Sequence, residues 1–295
     1  VTTVIPTKPG IPLSLTGNTQ VYAILGDPVA HSLSPLIQNT AFAAAGINAV
    51  YVPFHVEPAQ LANAVIGLRA LAVCGFNVTV PHKQAIMPYL DHVSEDAEAI
   101  GAVNTVVRRG DMLEGHNTDA GGFIRSLERD LEFSAYGKRI LILGAGGAAR
   151  ACVYALAQAQ TTDICIANRN LERAKKLCSD FGSFFPATHM GCCGIRGSEF
   201  NAACAGADLI VNTTSLGLLN TGTDVLEWEN INSKTLFYDV VYKPGLTPMV
   251  LRARSAGLKA VDGLGMLIAQ GEQGFRLWTG TDPGDAMHRA LTDMA

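Results

Sequence analysis

The chain has little with which to bind nucleic acid, cross a membrane or build a disulfide framework. Charged residues make up only 16% of its 295 residues, and 22 Lys and Arg against 26 Asp and Glu leave a net charge of −4. The basic pairs Arg108-Arg109 and Lys175-Lys176 stand apart and form no electropositive stripe, which argues against nucleic acid as a partner. No apolar run approaches the ~18 residues that a membrane-spanning helix needs. The N-terminus lacks a basic segment followed by an apolar core, and Pro6, Pro9 and Pro12 would break the helix such a core forms. The first ~20 residues are therefore expected to be an irregular lead-in. The seven cysteines include no C-x-x-C pair, and several fall in apolar stretches, which fits a reduced, cytoplasmic setting. Cys192-Cys193 near His189 is the one spacing that hints at metal ligands; adjacent cysteines make poor paired ligands, so it is taken as a loop coincidence and no metal site is expected.

What is present is a dinucleotide pattern. Ile140 to Leu143 is an unbroken β-prone apolar run of the kind a buried parallel strand needs, and it leads into Gly144-Ala145-Gly146-Gly147-Ala148-Ala149. These residues match G-x-G-x-x-A: Gly144 allows the tight turn, Gly146 lets a pyrophosphate approach the backbone, and Ala149 is small enough for helix-on-strand packing. Apolar residues from Ala151 to Ala159 continue the helix, and Ile164 to Ala167 supply the next strand. An NAD site carries Asp or Glu about 20 residues beyond the loop, on the ribose 2′-hydroxyl. Asn168-Arg169 stands there instead, followed by Arg173, and guanidinium groups bind a 2′-phosphate that a carboxylate would repel. NADP is favoured. The plainer alternative is that Arg169 and Arg173 form a solvated helix face.

The length suggests one large domain or, better, two. The chain opens with a strand at Val21 to Leu25, then His31-Ser32-Leu33-Ser34-Pro35 and a helix, with Ser34 expected at the N-cap and Pro35 at the first helical position. Two hydroxyls at a helix mouth also suit a small carboxylate. Strands at Ala49 to Phe54 and Cys74 to Val80 with a helix between them imply a mainly parallel sheet. The second of these puts Asn77 and Thr79 on one face and delivers Lys83 just beyond its C-terminal end, where open parallel sheets bind ligands. A hairpin across Gly110 brings Asn104 and then Asn117-Thr118-Asp119; by spacing alone Asp119 reads as the cap of the helix that follows. From Arg139 to about Val261, strands near Ile140, Ile164, Phe184, Asp208, Leu236 and Lys259 alternate with helices as a Rossmann unit. The turns Asn212-Thr213-Thr214-Ser215 and Asp239-Val240-Val241-Tyr242 lie at the edge that should face a cofactor. A helix from Leu264 to Trp278, carrying Met266 and Gln270, and a last helix are expected to fold back onto the first domain.

Together these segments resemble the shikimate dehydrogenase family, from about Val21 to the C-terminus. The resemblance is carried by Ser32-Leu33-Ser34-Pro35, Asn77-Val78-Thr79-Val80-Pro81-His82-Lys83, Gly101-Ala102-Val103-Asn104-Thr105, Asn117-Thr118-Asp119, the Gly144 loop, Asn168-Arg169 and Asp262-Gly263-Leu264-Gly265-Met266. It implies a substrate-binding catalytic domain of residues 1–118 and 263–295 and an NADP-binding Rossmann domain of residues 119–262. It implies reversible NADPH-dependent reduction of 3-dehydroshikimate to shikimate. Lys83 and Asp119 match the catalytic pair; Ser32 and Ser34 match the carboxylate site, with Tyr242 at the same end; Asn77, Thr79, Asn104 and Gln270 match the hydroxyl contacts. The cofactor contacts would be Gly144, Ala145, Gly146, Gly147, Ala148, Asn168, Arg169, Arg173, Thr213, Ser215, Val240, Gly263 and Met266. Leu218 departs from the Met of many members. A small-molecule substrate, no membrane, and a monomer or homodimer are expected, with cleft closure about Gly121-Gly122 and Gly263. A paralogue using quinate or NAD, and a non-catalytic NADP-binding sensor, remain as alternatives.

Overall fold

In the computed structural model, the described residues are 15–214, 225–243 and 245–292. The first part of the chain runs β1 (Gln20–Gly26), α1 (Ser34–Ala44), β2 (Ala49–His55), α2 (Leu61–Ala70), β3 (Gly75–Val78), β4 (His92–Val93), α3 (Glu95–Ile100), β5 (Thr105–Arg109) and β6 (Met112–His116). Its six strands form one sheet in the order β2-β1-β3-β5-β6-β4. β1 pairs in parallel with β2 and β3, and β4 with β6, whereas β5 is antiparallel to both β3 and β6. The sheet is therefore mixed. The tight turn at Gly110, with φ of +63°, forces the β5–β6 reversal expected from the sequence.

α4 (Asp119–Leu131) leads out of this sheet into β7 (Arg139–Leu143), α5 (Gly147–Gln158), β8 (Asp163–Ala167), α6 (Leu171–Gly182), β9 (His189–Cys193), α7 (Ser198–Gly206), β10 (Leu209–Asn212), β11 (Leu236–Asp239), α8 (Pro248–Ser255) and β12 (Ala260–Val261). These six strands are all parallel, in the order β12-β11-β10-β7-β8-β9. That is the doubly wound nucleotide-binding order, with the reversal between β7 and β10, beside the Gly144 turn. The strand expected near Phe184 starts five residues later in the chain, at His189. α6 persists to Gly182 because Phe181 is fully buried, and the small residues of His189–Cys193 carry no strand periodicity. Cys192 and Cys193 thus belong to an edge strand and not to a loop.

The chain then returns. α9 (Leu264–Thr279) and α10 (Ala286–Thr292) pack on the first sheet: Leu267, Ile268, Phe275 and Met287 share a core with Tyr22, Ile24, Ile37 and Phe42. α4 and α9 cross closely. A Cβ on Gly122 would lie 2.8 Å from the Gln270 backbone nitrogen, one on Gly121 2.6 Å from the Gln273 side chain, and one on Gly265 would strike Asp130 and Ser126. Gly263 lies against the Val240 carbonyl. Gly121, Gly122 and Gly263, expected from the sequence as pivots for cleft closure, are close-packing positions in this structure, the first two inside a continuous helix.

Candidate active site

The strand ends and helix mouths of both sheets face one cavity of about 250 Å³. From the first sheet come Ser32 and Ser34 at the start of α1, Asn77 and Thr79 at the end of β3, Lys83 beyond it, Asn104 before β5 and Asp119 opening α4. Tyr242, Gln270, Ala148, Thr213, Val240, Gly263 and Met266 line the same cavity. Gly26 explains part of this arrangement, since a side chain there would collide with the Thr79 methyl.

At its centre Lys83 Nζ donates to Asp119 Oδ2 at 2.6 Å, with both side chains largely withdrawn from water. Asp119 is free to take this bond because it is not the cap. Asn117 Oδ1 accepts from the Asp119 and Ala120 main-chain nitrogens, which places the capping oxygen two residues earlier than expected. Asp119 Oδ1 accepts from Asn104 Nδ2 at 2.9 Å. The Asn104 oxygen in turn takes the Thr118 main-chain nitrogen at 2.7 Å, and its Nδ2 also reaches Thr118 Oγ1 and Gln270 Oε1. The Gln270 nitrogen is held by the Leu267 carbonyl. Asp119, Asn104, Thr118 and Gln270 are thus tied into one hydrogen-bonded cluster.

Ser34 is the first residue of α1 and not its N-cap; Leu33 holds that position without a side-chain bond, and Ser32 Oγ accepts from the Ser34 nitrogen instead. Pro35, in the first turn, fixes the helical start whichever serine precedes it. Tyr242 faces this end: burial pushes its hydroxyl pKa up, while the Leu33 backbone and the Ser32 hydroxyl draw it back. Cys152 on α5 lies within electrostatic reach of Asp119 and Lys83; its burial, reinforced by the Asp119 charge, holds the thiol protonated.

On the nucleotide side Gly144 takes φ of +110° and donates its N–H to the Ala167 carbonyl at 2.8 Å, pinning the turn to the end of β8. A Cβ on Gly144 would meet Thr213 Oγ1 at 2.5 Å, whereas nothing lies within 4 Å of one on Gly146. Open space therefore covers the start of α5, whose free N–H groups suit a phosphate. Gly147 lies against the Lys83 stem, so the glycine turn reaches the Lys83–Asp119 pair. Gly144, Ala145, Gly146 and Gly147 do not line the cavity itself; they border it through Ala148. Asn168, Arg169 and Arg173 stand further off, beyond β8. Asn168 Nδ2 is tied to the Asn170 carbonyl, and the Arg169 and Arg173 side chains are exposed with no hydrogen-bond or ion-pair partner among the described residues. Ser215 and Leu218 lie outside the described residues.

Three buried polar residues to which the resemblance assigns no role are hydrogen-bonded to site residues: Tyr51, Thr105 and Thr118. Thr105 and Thr118 adjoin Asn104 and Asp119 in the chain, a signal that was available. Tyr51 comes from a distant strand and carried none.

A doubly wound nucleotide-binding sheet whose glycine turn abuts a buried lysine–carboxylate pair defines a dinucleotide-dependent oxidoreductase with a separate substrate-binding sheet. The chain belongs to the shikimate dehydrogenase family: the family models for its substrate binding domain, for shikimate / quinate 5-dehydrogenase, and for its C-terminal domain match residues 24–106, 127–264 and 263–292. It is 48% identical over 277 residues to the shikimate dehydrogenase (NADP(+)) of Geobacter metallireducens, covering 94% of this chain and 97% of that one. The crystal structure of shikimate dehydrogenase from Aquifex aeolicus superposes with a TM-score of 0.85 at 38% identity, covering 94% of this chain and 99% of that one. Shikimate 5-dehydrogenase from Thermus thermophilus, solved in complex with NADP(H) and shikimate, gives a TM-score of 0.82 at 35% identity, covering 94% and 100%.

Proposed function

We propose that this chain reversibly reduces 3-dehydroshikimate to shikimate with NADPH, a step of aromatic amino-acid biosynthesis. The relatives named for this activity, and the solved relative holding NADP(H) and shikimate, support that reading. The observation that carries it is the 2.6 Å Lys83–Asp119 contact inside a cavity lined by both sheets. Ser32, Ser34 and Tyr242 offer hydroxyl donors for a carboxylate at one end; Asn77, Thr79, Asn104 and Gln270 meet ring hydroxyls. The open α5 mouth from Gly144 to Ala148 fits the cofactor phosphates, Asn168, Arg169 and Arg173 its 2′-phosphate end, and Thr213, Val240, Gly263 and Met266 its nicotinamide end, together with Ser215.

When bound, NADPH supplies the hydride that reduces a ketone. The ketone oxygen becomes an alkoxide as this happens and needs a proton at once. Lys83 supplies that proton from Nζ and recovers it in the reverse direction. Asp119, anchored by Asn104, accepts from Nζ and holds it in place.

The reading also divides the chain into residues 1–118 with 263–295 and residues 119–262; the two separate sheets, with α9 and α10 on the first, support this. A reduced cytoplasmic setting, as monomer or homodimer, completes it, supported by seven cysteines that are all free. Among the described residues no helix is long and apolar enough to cross a membrane.

Nicotinamide absorbance over time, with shikimate and quinate each crossed against NADP and NAD, tests the proposal. Rapid reduction with shikimate plus NADP is expected. Turnover confined to quinate or to NAD would reject it, as would cofactor binding without turnover.

A further inference from the structure

The Asn77 amide is committed everywhere except at one lone pair. Its Nδ2 donates to the Asn104 carbonyl at 3.0 Å and to Thr105 Oγ1 at 2.9 Å, which uses both hydrogens. A backbone carbonyl only accepts, so the nitrogen must face Asn104 and the amide has a single orientation. Its oxygen accepts the Tyr51 hydroxyl at 2.7 Å. Oδ1 therefore keeps one lone pair, on a residue that lines the cavity.

Tyr51 is only 1% exposed and sits on the edge strand β2. Its main chain is held by one side chain: the Tyr51 N–H donates to Asn39 Oδ1 at 2.8 Å, and its carbonyl accepts from Asn39 Nδ2 at 2.9 Å. Burial drives the hydroxyl pKa well above the ordinary tyrosine range, so it stays a donor at every working pH. Beyond Asn77 the bonds continue in one sense. Thr105 Oγ1 donates to Asn104 Oδ1 at 3.2 Å, and Asn104 Nδ2 to Asp119 Oδ1 at 2.9 Å. A run of aligned donors ending on a carboxylate reinforces each of its members.

We propose that Tyr51 is a positioning residue: with the Asn77 amide already turned by the Asn104 carbonyl and Thr105, its hydroxyl occupies one lone pair of Oδ1 and holds the other in place, so that the site demands a hydroxyl donor at the ring position Asn77 meets. This rests on the dehydroshikimate reading of the same cavity. A carbonyl or ether oxygen at that position would set lone pair against lone pair, and a missing hydroxyl would leave Oδ1 half satisfied.

The test is Tyr51→Phe, which removes the hydroxyl and keeps the ring that packs beside Trp278, centroids 6.0 Å apart. Shikimate is compared with two analogues, each lacking one of its two non-reacting hydroxyls. Wild type should lose at least about tenfold in kcat/KM on the analogue that lacks the Asn77 partner. Tyr51→Phe should raise the shikimate KM roughly tenfold, leave the NADP KM unchanged, and shrink that analogue's penalty to within about threefold. An equal loss on shikimate and both analogues, or an unchanged KM, overturns the proposal. Asn77→Ala provides a second reading that does not depend on the tyrosine variant folding: it should erase the penalty for the same analogue, and erasing the other or neither overturns the proposal. Absence of wild-type turnover with shikimate would instead reject the dehydroshikimate reading itself.

Discussion

Asn117 decides what Asp119 is able to do. By accepting the first free N–H groups of α4, it releases a carboxylate that would otherwise be the natural cap. Asp119 then divides its oxygens between Lys83 and Asn104. If Lys83 moves the proton, Lys83→Ala should lower kcat by ~10² to 10⁴ with a smaller change in the shikimate KM. Steady-state kinetics in both directions would check this, and near-normal turnover would remove Lys83 from the chemistry.

Among the elements, the α4–α9 crossing does most to position the site, because each helix contributes a contact. Gly122 is closest to backbone, so Gly122→Ala must push α9 outward and carry Gln270 with it. A loss of about 1 to 3 kcal/mol is expected in urea unfolding, with a raised shikimate KM and an unchanged NADP dissociation constant. At the other side of the first sheet, the Asn39 amide occupies both hydrogen-bonding groups of Tyr51 that an adjacent strand would take. It closes part of an edge that is otherwise open to pairing. Asn39→Ala should cost about 1 to 3 kcal/mol and speed hydrogen exchange at the Tyr51 amide, read by mass spectrometry.

For the whole molecule, pH dependence should show the buried carboxyl that ties the second sheet together. Asp239, fully buried, accepts from Asn212, Val241 and Thr247, which joins the ends of β10 and β11 to the start of α8. Burial, with the Asp262 charge nearby, pushes its pKa up from 3.8 to about 6 despite those donors. The folded protein therefore holds this proton up to about pH 6, whereas the unfolded chain releases it near 3.8. Folding takes up a proton between those values, so this group's contribution declines as pH rises through the window and is level above it. The span corresponds to about 3 kcal/mol. Urea unfolding of wild type and Asp239→Asn at pH 4, 5, 6 and 7 should show wild type falling relative to the variant up to pH 6 and tracking it thereafter. A constant difference would mean that Asp239 is ionised throughout.

Legible in the chain alone were the two alternating α/β units, the glycine turn with its strand and helix, and the polar groups Asn77, Thr79 and Lys83 gathered at the end of one strand. Each depends on local chemistry: apolar runs make strands, φ-positive glycines make turns, and polar residues at strand C-termini point where a parallel sheet opens. The choice of which polar residue caps α4 came from the fold, since Asn117 and Asp119, two residues apart, compete for the same N–H groups and Lys83 engages Asp119 from the turn beyond β3. The fold also decided that His189–Cys193 is a strand, because pairing with β8 and not periodicity makes it one. Gly121, Gly122 and Gly263 look like flexible joints in the chain and are close contacts in space. Tyr51 shows the limit most plainly: nothing in its own segment marks it, and its role exists only because folding brings β2 within 2.7 Å of Asn77.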